Sequence, residues 1–441
     1  MTVAGVSKIR RPVNKTRIAA IALVVWGVLV LVGRWWLIAL QDSGRRINYD
    51  DAAPLVGSLD WHPSWRLVFP VAVAVTAVAA APYAVRTLRW RPLIWLAAAW
   101  SALWSVVVAV VDPDGWDGLT RPLLADDQYL VELGGISSLG EFVANFTERI
   151  PTYVAHVSSH PPGMLVVHWA MDRVGLGGAG WAAVLCIGAG AASVAAVLVT
   201  VREVAGEEWA RSLAPFLAVA PIAIWVATTA DAFFTGVGAW AVAGVVLATS
   251  RRGRDGDVLA FLGGLGFGIG AFLSYGLVLL ALVPTAVALA RGRVRPLLVA
   301  AAGAGAVFVV FALAGFWWPD GLDAAHVMFY GGVGGRRPYG VFLVANWSII
   351  AVALGPALAV AIVRLRDRAS WLLVGGALAA VTAATLSGYS KGEVERIWLP
   401  FAVWLLVACG ALAGTRTSTR TWLAVQAAYT IVLTTALRTP W

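Results

Sequence analysis

An all-α membrane protein of many passes is the fold class that three features of this sequence predict. Apolar runs of about 17 to 25 residues, each long enough to cross a bilayer, recur along the chain. Charged residues make up only 13% of the 441, where a soluble protein carries about 25%. The basic residues fall in short clusters between the apolar runs, the pattern that orients helices during insertion. These features exclude a large soluble domain. The +9 net charge is scattered rather than gathered on a face, so nucleic acid is excluded as a partner and the lipid bilayer is the expected one.

The apolar runs predict about 13 transmembrane helices, at about 18–40, 66–84, 93–111, 180–200, 212–229, 233–249, 257–273, 276–290, 297–317, 341–362, 371–387, 397–413 and 421–437. The basic stretch KIRRPVNKTR precedes the first. That run is too long for the apolar part of a signal peptide, so it reads as an uncleaved anchor with a cytoplasmic N-terminus. The inner loops then carry Lys8, Arg10, Arg11, Lys15 and Arg17 at the start. Further on they carry clusters at 86–91, 202–211, 251–254, 291–295, 364–368 and 416–420. Only Glu203, Glu207, Glu208, Asp255, Asp257 and Asp367 among the acids fall inside.

One helix decides this parity. PPGMLVVHWAMDRVG, 161–175, rises only about 22 Å, short of the roughly 30 Å hydrocarbon core. It is therefore laid along the outer surface. The stretch 256–290 becomes a hairpin with Ser274 and Tyr275 at its outer turn. The longer loops, 41–65, 112–179, 318–340 and the short 388–396, then all fall outside, where function concentrates. Cys186 and Cys409 sit inside apolar runs and read as small buried residues.

The outer loop 112–179 reads as structured. Ser138 with Glu141 makes a capping box. Leu139, Phe142, Val143, Phe146 and Ile150 follow on one face, as in an interfacial helix. Pro161 and Pro162 suit the first turn of the second interfacial helix. Ahead of these helices stand Asp126 and Asp127 in LLADDQYLVELGG. Two adjacent carboxylates raise each other's proton affinity, suit a general base acting on a hydroxyl, and have the donor chemistry for a divalent cation. No cofactor is otherwise implied. His156 and His160 alone are too few ligands for a metal.

This arrangement resembles the C-type integral-membrane glycosyltransferases, the GT-C superfamily, which use polyprenyl-phosphate sugars and include aminoarabinose transferase and the protein O-mannosyltransferases. The resemblance rests on Asp126, Asp127 and Tyr129, then His160 with Pro161 and Pro162, then Asp231 in ATTADAFFTGVGAW, then Arg396 and Pro400 in GEVERIWLP. It spans residues 93–413. A segment 1–92 with a cytoplasmic tail and two extra helices precedes it, and a helix at 414–441 follows. Asp127 stands where the family commonly has Glu, and Tyr129 lies one residue closer to the acids, so whether Asp126 or Asp127 is the base stays open.

The resemblance implies an enzyme of the plasma membrane with its active site on the extracytoplasmic face, transferring a sugar from a polyprenyl-phosphate donor to a glycan, lipid or protein acceptor for envelope glycan or glycoconjugate synthesis. It implies inversion at the anomeric carbon, with Tyr129, His160 and Asp231 shaping the cleft. Arg396 in YSKGEVERIWLP, with Lys391, Glu393 and Glu395 beside it, stands where a lipid phosphate would lie. Arg is suited to phosphate by its planar fork. Arg336 and Arg337, in the glycine-rich YGGVGGRRPYG, are second candidates on a loop free to act as a lid. The rival readings are a transporter or lipid flippase, which needs polar groups at helix midpoints and interrupted helices, and an envelope scaffold.

Overall fold

The computed structural model describes residues 15–441. The predicted basic residues Lys8, Arg10 and Arg11 lie outside the described residues. The architecture is all-helical apart from one two-residue strand pair. Among the described residues, eight helices are long and apolar enough to cross a membrane: Thr16–Asp42, Trp65–Thr87, Trp90–Ala109, Ala179–Ala205, Ala230–Ala248, Gly253–Leu273, Arg295–Leu313 and Arg368–Ser387. A bent pair, Tyr339–Leu354 with Pro356–Arg364, makes up to nine. Val24, Leu31, Val75, Trp95, Leu298 and Leu313 lie exposed on their outer faces. Hydrocarbon is the solvent in which such faces are stable, because every backbone group there is bonded within its own helix.

Ala179–Ala205 and Ala230–Ala248 form the centre, with Leu399–Leu405 packed against the latter. On one side Gly253–Leu273 lies against Arg295–Leu313 at very close range. A Cβ at Gly264 would run into the carbonyl of Ala300, and one at Gly303 into that of Phe261. Glycine on both helices is what lets the backbones meet. On the other side Lys15–Asp42 packs on the bent pair.

The thirteen predicted spans are corrected where the backbone breaks. The predicted 212–229 is a 12-residue helix, Glu207–Ala218, followed by a 3-10 turn, Pro221–Trp225. Pro215 and Pro221 each lack the N–H that an unbroken ladder needs. The predicted 341–362 turns by 97° between its halves. Gly355 makes the corner at φ +77°, which only glycine adopts freely, and Pro356 starts the next helix. The predicted 276–290 and 397–413 are short apolar helices, Tyr275–Ala290 and Leu399–Leu412, each with a 3-10 stretch. The last helix, Arg416–Ala436, is long but rich in threonine and falls outside the eight. The predicted lid loop 318–340 is mostly helix, Trp318–Gly331 and Val333–Arg336.

At the two breaks, side chains of neighbouring helices donate to backbone carbonyls. Gln426 Nε2 donates to Phe216 O at 2.7 Å and to Val219 O at 3.0 Å, and Trp104 Nε1 to Ala220 O at 3.2 Å. At the corner, Trp26 Nε1 donates to Ala351 O at 2.9 Å and the Tyr429 hydroxyl to Val352 O at 2.7 Å.

The loops separate to two ends. At one, Arg291 bonds Ser250 and the Glu203 carbonyl, and Arg211 bonds the carbonyls of Val85 and Leu88. These are the loops assigned inward by their basic clusters. At the other end, 41–65, 112–179, 318–340 and 388–396 come together. Ser58–Leu59 pairs antiparallel with Leu437–Arg438 and ties the chain's last residues to this end.

Candidate functional site: a charged network and polar cavity at one end of the bundle

The site is built around a turn. Arg368–Ser387 stops at Gly388 in the left-handed conformation, a common helix end. Asn346 then holds both sides of the turn: its Nδ2 donates to Ser390 O at 2.8 Å and its Oδ1 accepts from Gly392 N at 3.0 Å. Glu393 sits at φ +59°, a conformation costing a non-glycine residue roughly 1–2 kcal/mol. Such strain persists only where surrounding contacts impose it. Here it puts the Glu393 carboxylate between two guanidinium groups.

Arg396 is the centre. Its Nη1 donates to Asp231 Oδ2 at 3.0 Å and its Nη2 to Glu393 Oε2 at 2.7 Å. Both side chains of the Arg396–Asp231 pair are almost wholly buried, at 6% and 5% exposed. Asp231 opens the helix Ala230–Ala248, where the positive end of the dipole favours a carboxylate. The Trp441 ring lies 4.3 Å from the guanidinium, in cation–π range. On the far side of Glu393 stands Arg337, 3.2 Å from Oε1. Burial pushes the Glu393 carboxyl up, but Arg396 and Arg337 outweigh it and hold it below the usual carboxylate range.

Next to this network is a small polar cavity with room for about one water. Gln128, Tyr129, His156 and His160 bound it on one side, Thr228 to Asp231 on another, and Arg396 and Trp441 on a third. The hydroxyls of Tyr129 and Thr228 and Nε of Arg396 are buried there with no protein partner. Tyr129 has its ring 6.1 Å from His156 and 5.9 Å from His160. His160 is oriented by its Nδ1, 2.8 Å from the His156 carbonyl, and burial pushes its pKa down to about 4.

The structure thus brings Tyr129, His160, Asp231, Glu393 and Arg396 together. It separates the others. Asp126 is exposed and its side chain has no partner among the described residues. Asp127 is half exposed and lies behind His156, with Oδ2 3.6 Å from His156 Nδ1. Arg336 is exposed. Arg337 and Lys391, expected as phosphate contacts, are buried and engaged internally. Arg337 Nε donates to Ile47 O at 3.0 Å and its Nη1 to Lys391 O at 2.5 Å; Lys391 Nζ donates to Gly334 O at 2.9 Å over the Tyr330 ring. Arg337 ties segments 330–337, 388–396 and 41–65 into one unit, Lys391 adds a second tie between the first two, and neither is free to meet a ligand. Among the described residues no three His, Cys, Asp or Glu side chains form a group able to hold a metal.

Glu395 points away from the cavity. It is fully buried; Oε1 accepts from Val56 N at 3.2 Å and Oε2 has no protein partner. Burial raises its pKa to about 7. A carboxyl raised on folding stabilises the fold below its unfolded value near 4.5, and that stability is lost as pH rises toward 7. The melting temperature in detergent should therefore fall between pH 5 and 7 and level off above. Glu395→Gln should flatten that slope; an unchanged slope would assign it to other groups.

Sequence reasoning passed over Trp441, Gln128 and Thr228, and weighed His156 only as a metal ligand. Nothing in the pattern distinguishes the first three. His156 stands four residues before His160, which marks the pair but not its target.

The class that this fold and site define is an all-helical, multi-pass membrane protein with a buried charge network beside a polar cavity at one end. No family model matches the chain, and no curated protein matches it. Among solved structures, the chain is similar to the Archaeoglobus fulgidus oligosaccharyltransferase, determined in complex with Zn and sulfate. The TM-score is 0.47 at 16% identity, over 77% of this chain and 52% of that one. This chain therefore matches about half the length of that protein.

Proposed function

We propose that this protein is a GT-C-type membrane glycosyltransferase that moves a sugar from a polyprenyl-phosphate donor to an acceptor hydroxyl at the extracytoplasmic face of the plasma membrane, with its N-terminus in the cytoplasm. The observation that carries this reading is the pairing of Asp231 with Arg396 across one polar cavity, 165 residues apart in sequence. Tyr129 and His160, two further positions of the resemblance, line the same cavity. In this reading Arg396 meets the phosphate of the donor. The Asp126–Asp127 segment drives removal of the acceptor's proton, and the sugar inverts at its anomeric carbon.

Interrupted helices also mark transporters, where freed backbone groups bind ions or substrate. Here the carbonyls at the breaks already have protein donors: Gln426 for Phe216 and Val219, Trp104 and Ala223 N for Ala220, and Gly355 N with Trp26 and Tyr429 for Ala351 and Val352, which favours the enzyme.

The test is transfer of labelled sugar by purified protein from synthetic polyprenyl-phosphate donors carrying mannose, arabinose, glucose or galactose. Asp126→Asn and Asp127→Asn are run in parallel. Turnover lost in one variant with donor binding kept is the expected result. No turnover and no donor binding with any of the four would turn the assignment to transport or scaffolding.

A further inference from the structure

We propose that the end of the bundle opposite the charged network binds a phospholipid whose head carries both a phosphodiester and a primary ammonium. One chain would lie in an apolar groove, with the head among Arg86, Arg416 and Glu208. This goes beyond the transferase reading and stands without it.

The groove lies between three helices. Ala77, Ala80, Ala81 and Ala84 line it from Trp65–Thr87, Ala97 from Trp90–Ala109 and Ala214 from Glu207–Ala218. Small side chains on all three helices leave the space open instead of filling it. From Thr76 to Val85 the groove runs about 14 Å along its helix. That is close to half of the roughly 30 Å hydrocarbon core, the depth of one leaflet. A single lipid chain matches both the length and the apolar lining.

At its basic end the groove meets a polar cleft of about 590 Å³, and Val85 and Pro215 line both. Arg86, Arg211 and Arg416 line the cleft together with Glu207 and Glu208. Arg211 and Glu207 are already spent on each other, with Nη2 2.7 Å from Oε1, and Arg202 Nη2 lies 2.8 Å from the second carboxylate oxygen. Arg86, Arg416 and Glu208 are exposed, and their side chains have no partner among the described residues.

Arg416 is set against its own helix. It is the first residue of Arg416–Ala436, whose start is capped by the Thr415 hydroxyl, which accepts from Ser418 N at 3.1 Å. A cation at that position meets the positive end of the helix dipole and is disfavoured. An anion beside it reverses the sign, because guanidinium and helix terminus then attract the same charge. Two free guanidinium groups suit a phosphodiester, and basic pockets between membrane helices are where lipid head groups bind. The free Glu208 carboxylate suits an ammonium. A head with phosphate alone would leave Glu208 unpaired beside a like charge.

The experiment follows thermal unfolding of the delipidated full chain in detergent as lipid is added. Phosphatidylethanolamine should raise the melting temperature saturably, as a ligand of the folded state does. Phosphatidylcholine, whose cation has no N–H, and phosphatidylglycerol, which has no cation, should raise it clearly less. Arg86→Gln combined with Arg416→Gln should lose the shift from all three lipids. Both side chains are exposed and unpaired, so without lipid this variant should melt with the wild type. Glu208→Gln should remove only the preference for phosphatidylethanolamine. Ala80→Trp, at the exposed edge of the groove, should weaken every shift by filling the chain's place. No saturable shift, or equal shifts from the three lipids, would overturn the proposal. A shift kept in the double arginine variant would place the lipid elsewhere and overturn it too. So would a larger shift with phosphatidylglycerol that Glu208→Gln leaves unmoved, since the occupant would then be an anionic lipid. None of these readouts involves sugar transfer, so failure here leaves the transferase reading standing.

Discussion

Arg396→Ala should be the most damaging single substitution at the site. It leaves the Asp231 carboxylate, 5% exposed, with no counter-charge and removes the bond to Glu393. Breaking a buried pair by deleting one partner costs about 3–5 kcal/mol, because the other charge stays buried. The Trp441 ring loses its cation as well. The measurement is thermal unfolding in detergent, followed with donor binding and transfer. Transfer should be abolished and the melting temperature should drop by many degrees. Arg396→Gln combined with Asp231→Asn should recover stability, since neither remaining group is charged, but not transfer. A melting temperature unchanged in Arg396→Ala would mean that water in the cavity already solvates Asp231, and that the pair does not hold the site together.

Gln426→Leu should have the second-largest effect, and it acts far from the site. One side-chain amide serves two carbonyls, Phe216 O and Val219 O, where the helix Glu207–Ala218 ends inside the protein. Each buried carbonyl left without a donor costs about 1–3 kcal/mol, and Gln426 lies buried in the bundle's interior. Unfolding in detergent should show the loss. Gln426→Glu at neutral pH should be at least as damaging, because a carboxylate cannot donate. If Gln426→Leu melts with the wild type, the two carbonyls have other partners and the break needs no such support. The segment 219–229 leads directly into Asp231, so transfer should fall together with stability.

Much of the membrane architecture was legible because it follows from local composition. An apolar run of twenty residues has one stable answer in lipid, a helix, whatever surrounds it. The basic clusters sorted the loops into two groups, and the contacts gather those groups at opposite ends: Arg291 with Glu203 and Ser250 at one, Arg337 with Ile47 and Glu393 at the other. The short run 163–173 was also separable from the spans by length alone. The breaks were not legible as breaks. Proline at 215, 221 and 356 and glycine at 355 were visible, but hydropathy averages over them. Whether a proline kinks a span or ends it depends on whether a neighbour such as Gln426 is placed to bond the carbonyls it frees.

At the site, Tyr129, His160, Asp231 and Arg396 could be named in advance because they are the positions that carry the resemblance to the C-type glycosyltransferases, and Glu393 because it stands beside Arg396. Their partnership could not. Lys391 and Arg337 show the limit most clearly. As residue types both suit phosphate, yet both spend donors within the protein, while Arg396, which lines the cavity, keeps Nε without a protein partner. Trp441 reaches Arg396 only because two residues before it pair with Ser58–Leu59, a contact nearly 380 residues long in sequence.

What the sequence by itself determined is the class and the sorting of the loops into two groups, since both depend on local hydrophobicity and charge. The tertiary structure alone decided which cation meets which anion, which helices break, and that His156 rather than the adjacent acids faces the cavity. Those outcomes depend on directions and distances between segments far apart in the chain, and side-chain direction carries no trace in composition or spacing.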